Sequence, residues 1–167
     1  TSPEWHSDLE LVRDIDVFWM GKPRTRRRTR LLKKLREAFG SQGLRFYVAD
    51  GFENPLVYGA TRTRLLNRSK ITLNLLPTWY DTNFAFRFHI AAGNRSLVVS
   101  EPSLPHCSCY EPDIHFVSTP TDELVATILH YLEHDDERRQ ITDAAYELVV
   151  EVMTLRSSVS VIMHEVD

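Results

Sequence analysis

Residues 16–40, DVFWMGKPRTRRRTRLLKKLREAFG, carry the reading on which the rest of the chain depends. Asp16-Val17-Phe18-Trp19-Met20 is a short apolar run closed by Gly21-Lys22-Pro23, the pattern of a core strand that stops at a turn. From Thr25 to Phe39 the period changes: Leu31, Leu32, Leu35, Ala38 and Phe39 recur at helical spacing among Arg and Lys, with Gly40 placed as a stop. A strand that runs through a tight turn into an amphipathic helix with a basic face is the opening of a βαβ unit.

Outward from that stretch the alternation continues. Residues 44–49 read as a second strand ending at Asp50-Gly51, residues 58–68 as a helix and residues 71–76 as a third strand. A helix over 83–92, a fourth strand over 96–100 and a short fifth over 115–118 follow. Thr121 is the expected cap of the next helix, with Asp122 and Glu123 in its first turn; another opens at Asp135, and Thr154 caps a last one. Strands alternating with helices require right-handed crossovers and a parallel sheet covered on both faces. The expected fold is therefore α/β, a Rossmann-like three-layer sandwich with a mostly parallel sheet. It forms a single domain over 1–167, with C-terminal helices at about 121–165.

Composition bounds the function. With 167 residues, 43% of them hydrophobic, the chain can build a sizeable core without a metal or a disulfide. No apolar run approaches the roughly 20 residues that span a bilayer, and residues 1–30 show no signal-peptide core, so a cytoplasmic location is the default expectation. The cysteines, Cys107 and Cys109, stand beside His106 and fall one ligand short of a metal set unless Asp113 or His115 joins; reduced loop thiols are the reading, with no metal site expected. The net charge of -3 hides an asymmetry: residues 1–100 carry 17 Lys/Arg against 9 Asp/Glu, residues 101–167 carry 3 against 14. An anionic partner should meet the first part.

Open parallel sheets bind ligands beyond the carboxyl ends of their strands, where strand order reverses, so the fold nominates loops 21–26, 76–83 and 100–111. The first offers Gly21 for close backbone approach, then Lys22, Arg24 and Arg26-Arg27-Arg28 at a helix N-terminus whose dipole favours anions. The second offers Asp81, Thr82 or Asn83 as helix cap, Trp79 or Tyr80 for stacking, and, one turn on, Arg87, which can hold a phosphate bidentately or pair with Glu101 or Asp81. The third begins with Ser100-Glu101, a carboxylate suited to ribose hydroxyls or to capping a helix.

Several classes lose support on the same residues. No G-x-x-x-x-G-K-[ST] or G-x-G-x-x-G occurs, which removes the usual ATPase and NAD signatures. Nine of the fifteen residues from Lys22 to Arg36 are basic, but no aromatics interleave with them, so a nucleic-acid interface ranks below a solvated helix face or a diphosphate site. His89, between Phe88 and Ile90 on a helix, reads as a packed residue, and no Ser-His-Asp or Cys-His arrangement can be assembled, so no catalytic residue is assigned.

Taken together, Asp16 to Gly21 with Arg27-Arg28, Tyr58-Gly59, Asn67 to Asn74, Arg87 with Ser96 to Glu101, His115-Phe116-Val117, and Asp122-Glu123-Leu124 with Tyr131-Leu132 resemble the C-terminal domains of GT-B glycosyltransferases. Within them the likeness is to the glycosyl transferases group 1 and CgeB-like proteins. The resemblance implies a Rossmann-like domain that binds a nucleotide-sugar (UDP, GDP, ADP or TDP as carrier) and needs no tightly bound metal or other cofactor. It also implies an N-terminal GT-B domain or partner subunit that supplies the acceptor site. The donor site it implies comprises Gly21, Lys22, Arg27, Arg28, Thr82, Asn83, Arg87, Ser100 and Glu101. In the related pattern Arg is followed three residues on by Glu, then by Gly before the strand ending in Ser/Thr-Glu. An ungapped match of Arg87 and Glu101 puts Ile90 at that Glu and Arg95 at that Gly. The alternative is a GT-B-like binding or assembly domain without catalytic activity.

Overall fold

The structure is a computed structural model describing residues 7–78, 85–102, 109–154, 156, 157, 159, 160 and 163. Its strands are β1 (Ile15–Met20), β2 (Phe46–Ala49), β3 (Ser69–Asn74), β4 (Leu97–Ser100) and β5 (Val117–Ser118). The helices are α1 (Arg26–Ser41), α2 (Gly59–Arg68), α3 (Ala85–Ala92), α4 (Leu124–Glu133) and α5 (Asp135–Glu147), the last running into a π-helical turn, Leu148–Val152. The five strands form one parallel sheet in the order β2-β1-β3-β4-β5.

Near-continuous apolar strands are what a sheet covered on both faces demands. In β1, Val17 and Trp19 point to one face, where Leu32, Leu35 and Phe39 of α1 and Leu124 and Ile128 of α4 cover them. Phe18 and Met20 point to the other, against Leu66 of α2 and Phe88, Ile90 and Ala91 of α3. Trp19, Phe18, Phe39 and Phe88 are fully buried, each contributing about 2–3 kcal/mol by leaving water. Three layers result, as the strand-helix alternation predicts.

Where element ends differ from the sequence reading, side chains explain it. The third strand ends at Asn74, not at Leu76: the Leu75 carbonyl accepts from Arg28 Nη2 at 2.7 Å, the Leu76 carbonyl from Arg27 Nη1 at 3.0 Å, and the Leu76 N–H donates to Glu101 Oε1 at 3.0 Å. Backbone groups spent on side chains cannot join a ladder. Thr121 does not cap α4; residues 121–123 form a turn in which the Glu123 N–H reaches the Pro120 carbonyl at 3.1 Å, and the helix starts at Leu124. Thr154 does cap, its hydroxyl accepting from the Ser157 N–H at 3.0 Å, and the described residues beyond it are helical.

At the opposite end of the sheet from the strands' carboxyl ends, Arg13 fastens the incoming segment. Its guanidinium donates to the carbonyls of Leu66 at 3.2 Å, Ser69 at 2.6 Å and Asn94 at 3.0 Å, closing the ends of α2 and of the turn after α3. Burial holds its pKa down at about 10.

Candidate functional site

The strand order reverses between β1 and β3, and a cleft of about 630 Å³ opens there, beyond the strands' carboxyl ends. One wall is the turn Gly21–Thr25 leading into α1; the other is formed by Asn74–Pro77 and Arg87 of α3. Leu56 and Tyr58, from the loop before α2, and Phe86 close the third side.

Each cation of the cleft is positioned by local structure. Lys22 and Arg24 stand exposed on the turn. Arg28 is 8% exposed and spans the cleft floor, donating to the carbonyls of Lys22 (3.1 Å) and Leu75 (2.7 Å), with its guanidinium carbon 5.8 Å from the centre of the Trp19 ring. Arg87 donates to Asn74 Oδ1 and to the Met20 carbonyl at 3.1 Å, so it bridges the ends of the two strands that flank the reversal. Asn74 is held in turn by its own donation to Ser100 Oγ at 2.9 Å. Thr25 caps α1 by accepting from the Arg28 N–H at 3.3 Å while its hydroxyl donates to the Pro77 carbonyl at 3.0 Å, tying the two walls together. The N-terminus of α1 therefore opens on the cleft with no acidic residue in its first turn. Backbone N–H groups, helix dipole and guanidinium groups converge on a space that suits an anion with more than one charged group.

The residues expected at the site separate into groups. Gly21, Lys22, Arg28 and Arg87 line the cleft. Arg27 and Glu101 meet each other instead: Arg27 Nη1 lies 3.2 Å from Oε1, Nη2 also bonds the carboxylate, and Glu101 is 3% exposed. That hydrogen bond raises the Arg27 pKa. Arg27 opens on the outer side of α1, beside Thr121 and Asp122. Ser100 is fully buried behind Asn74 and donates to the Glu101 carbonyl at 2.7 Å. Thr82 and Asn83, with Trp79, Tyr80 and Asp81, lie outside the described residues, as do His106 and Cys107. Arg87 pairs with Asn74, and Glu101 with Arg27, so the two do not form the pair that the sequence allows. Among the described residues no cluster of His, Cys, Asp and Glu could hold a metal ion.

Sequence reasoning missed Leu56, Asn74 and Phe86 as cleft residues. Asn74 ends a core strand and is fully buried, which could have marked it as a polar residue needing a partner. The two positions that depart from the related pattern have clear structural roles. Ile90 is 1% exposed within the cluster formed with Phe18 and Met20. Arg95 adopts φ +53°, the left-handed conformation glycine favours, and is held there by Asp8 (3.0 Å), Asp143 and the ring of Tyr146, 3.9 Å from its guanidinium carbon.

The family described as glycosyl transferase-like matches residues 24–163. No curated protein matches the sequence. Among solved structures, the backbone is similar to that of S. aureus TarM in complex with fondaparinux, alpha-GlcNAc-glycerol and UDP: 12% identity, TM-score 0.69, covering 95% of this chain and 37% of that one. It is similar to the C-terminal domain of LpcC, a glycosyl transferase group 1 family protein from Francisella tularensis, at 11% identity and TM-score 0.60, covering 91% and 92%. It is also similar to Anabaena HepE in complex with UDP-glucose, at 12% identity and TM-score 0.57, covering 89% and 48%. The fold is thus that of a GT-B C-terminal domain, and the chain spans little more than a third of the length of TarM, 37%.

Proposed function

The chain belongs to the glycosyl transferase-like family, and from that premise we propose that residues 1–167 form one donor-binding domain of GT-B type, holding a nucleotide-sugar in the cleft at the β1/β3 reversal. The observation that carries the reading is the convergence of Lys22, Arg24, Arg28 and Arg87 with the N-terminus of α1 on one cleft of about 630 Å³. Gly21, Lys22, Arg28 and Arg87 hold the diphosphate. Thr82 and Asn83, outside the described residues, belong to the same proposed donor site, and Arg27, Ser100 and Glu101 form the layer behind. The reaction transfers a glycosyl group to an acceptor with loss of a nucleoside diphosphate, and the arginines offset the charge that develops on the leaving phosphate. The acceptor belongs to an N-terminal GT-B domain or partner subunit, the location to the cytoplasm, and the subtype to the CgeB-like group. UDP and UDP-glucose in the TarM and HepE complexes make uridine the first carrier to test.

A second reading, a domain that keeps the fold without catalysis, draws on Ile90 in place of the related Glu and on Glu101 being engaged by Arg27. One experiment separates them. The melting temperature of the chain is measured against UDP, GDP, ADP, TDP and their sugar conjugates, since a ligand bound only by the folded state at 100 times its Kd adds about 2.7 kcal/mol. A selective rise that Arg87→Ala abolishes supports the donor site. A flat panel overturns it in favour of the second reading.

A further inference from the structure

Asn74 and Ser100 are register partners at the carboxyl ends of β3 and β4, and both are fully buried. Polar side chains in strands covered on both faces cost stability unless they are paired, and an apolar pair in their place would serve the core at least as well. The pair terminates instead on Arg87.

Every proton in this network has one assignment. A guanidinium has donors and no acceptor, so Asn74 must present Oδ1 to Arg87 Nη1. Its Nδ2 is thereby turned to Ser100 Oγ, at 2.9 Å, and the Ser100 hydroxyl, accepting there, gives its own proton to the Glu101 carbonyl at 2.7 Å. The amide is held from behind in one of its two orientations. Arg87 Nη2 donates in addition to the Met20 carbonyl at 3.1 Å, so the guanidinium is anchored to the ends of both β3 and β1.

Both of these anchors are uncharged oxygens. The alternative stands in the same molecule: Arg27, met by the carboxylate of Glu101, is part of an ion pair and opens on the outer side of α1. A carboxylate at position 74 would hold Arg87 as firmly but cancel its attraction for an anion. We propose that Asn74 is a positioning residue that orients Arg87 towards the diphosphate through a neutral acceptor, and that Ser100 fixes the amide in the orientation this requires. The proposal rests on the donor-binding reading above and gives both residues a role exerted through Arg87.

A double-mutant cycle tests it, by calorimetric titration of the whole chain with UDP, GDP, ADP and TDP, read at the tightest of them. Asn74→Ala should weaken binding about tenfold, the size of one charge-assisted hydrogen bond, and add nothing further once Arg87→Ala is present. Ser100→Ala, which removes only the rear support, should act more weakly in the same direction and also lose its effect beside Arg87→Ala. Asn74→Asp keeps the shape of the amide and would rescue a merely structural residue; here it should fold with the circular dichroism of the parent and still bind about tenfold more weakly. It decides the matter if Asn74→Ala does not fold, and Ser100→Ala decides it if neither Asn74 variant folds. Equal losses from Asn74→Ala or Ser100→Ala with and without Arg87, or parental affinity in Asn74→Asp, overturns the positioning role and leaves the donor site standing. Parental affinity in Arg87→Ala removes Arg87 from the site and the positioning role with it; no binding of any diphosphate by the unaltered chain removes the donor reading as well.

Discussion

Gly21 has φ +138°, and a Cβ built there would lie 3.4 Å from Arg87 Nη2 and 3.6 Å from the Trp19 ring. Backbone conformation and space both ask for glycine at the point where β1 turns into the cleft. Gly21→Ala should therefore lower stability by about 1–2 kcal/mol, read from urea midpoints, and shift Arg87 enough to weaken diphosphate binding. A variant as stable as the parent and equal to it in binding would show that the turn adapts. Arg27 and Glu101 illustrate the opposite kind of residue. Glu101 is 3% exposed and Arg27 neutralises it, so the pair stabilises the loop beneath the cleft more directly than it meets a ligand.

At the scale of the element, α1 begins with Arg26-Arg27-Arg28 and has no acidic residue in its first turn, an arrangement that the helix dipole disfavours by a few tenths of a kcal/mol per cation. An anion at the helix end reverses that sign, so the element is better suited to the ligated state than to the empty one. Thr25 holds this end in place through its cap and its bond to the Pro77 carbonyl at 3.0 Å. Thr25→Ala should lower stability by about 1 kcal/mol and, because both walls of the cleft hang on this hydroxyl, reduce affinity for diphosphate as well. Thr25→Ser, which keeps the hydroxyl, should restore both. Rescue of stability without rescue of binding would separate the cap from the site.

Across the whole molecule, carboxylates tie distant elements together. Asp14 accepts from Arg68 Nε at 2.7 Å and Nη2 at 2.6 Å, and these bonds hold its carboxyl well below the usual carboxylate range. Burial of Asp50 works against its ionisation, but the backbone N–H groups of Glu53 and Phe52, with Arg36, outweigh it and hold its pKa below 3.8. Both groups take up protons more readily unfolded than folded. Their stabilisation is complete above 3.8 and is lost as pH falls through the depressed values. Urea unfolding followed by circular dichroism and by fluorescence of the buried Trp19 should give one coincident transition, with a midpoint that drops between about pH 4 and pH 2. Arg68→Ala should flatten that drop; an unchanged slope would show that Asp14 contributes nothing to it.

Much of this was legible along the chain because periodicity is a local property. The apolar run of β1, the 3.6-residue spacing of α1 and the alternation that follows identify the α/β class, and the charge asymmetry points anions at the first hundred residues. Gly21, Lys22, Arg28 and Arg87 could be nominated because a parallel sheet presents its loops at one end. Which nominated residues meet was decided only by tertiary structure. Strand order brings Asn74 under Arg87, sends Arg27 around the helix to Glu101, and sets Tyr58 and Phe86, residues 28 apart in sequence, on one side of the cleft. Spacing along a helix or strand says which face a side chain occupies, whereas its partner across the crossovers depends on how the strands are ordered, and that order is set by packing of the whole sheet.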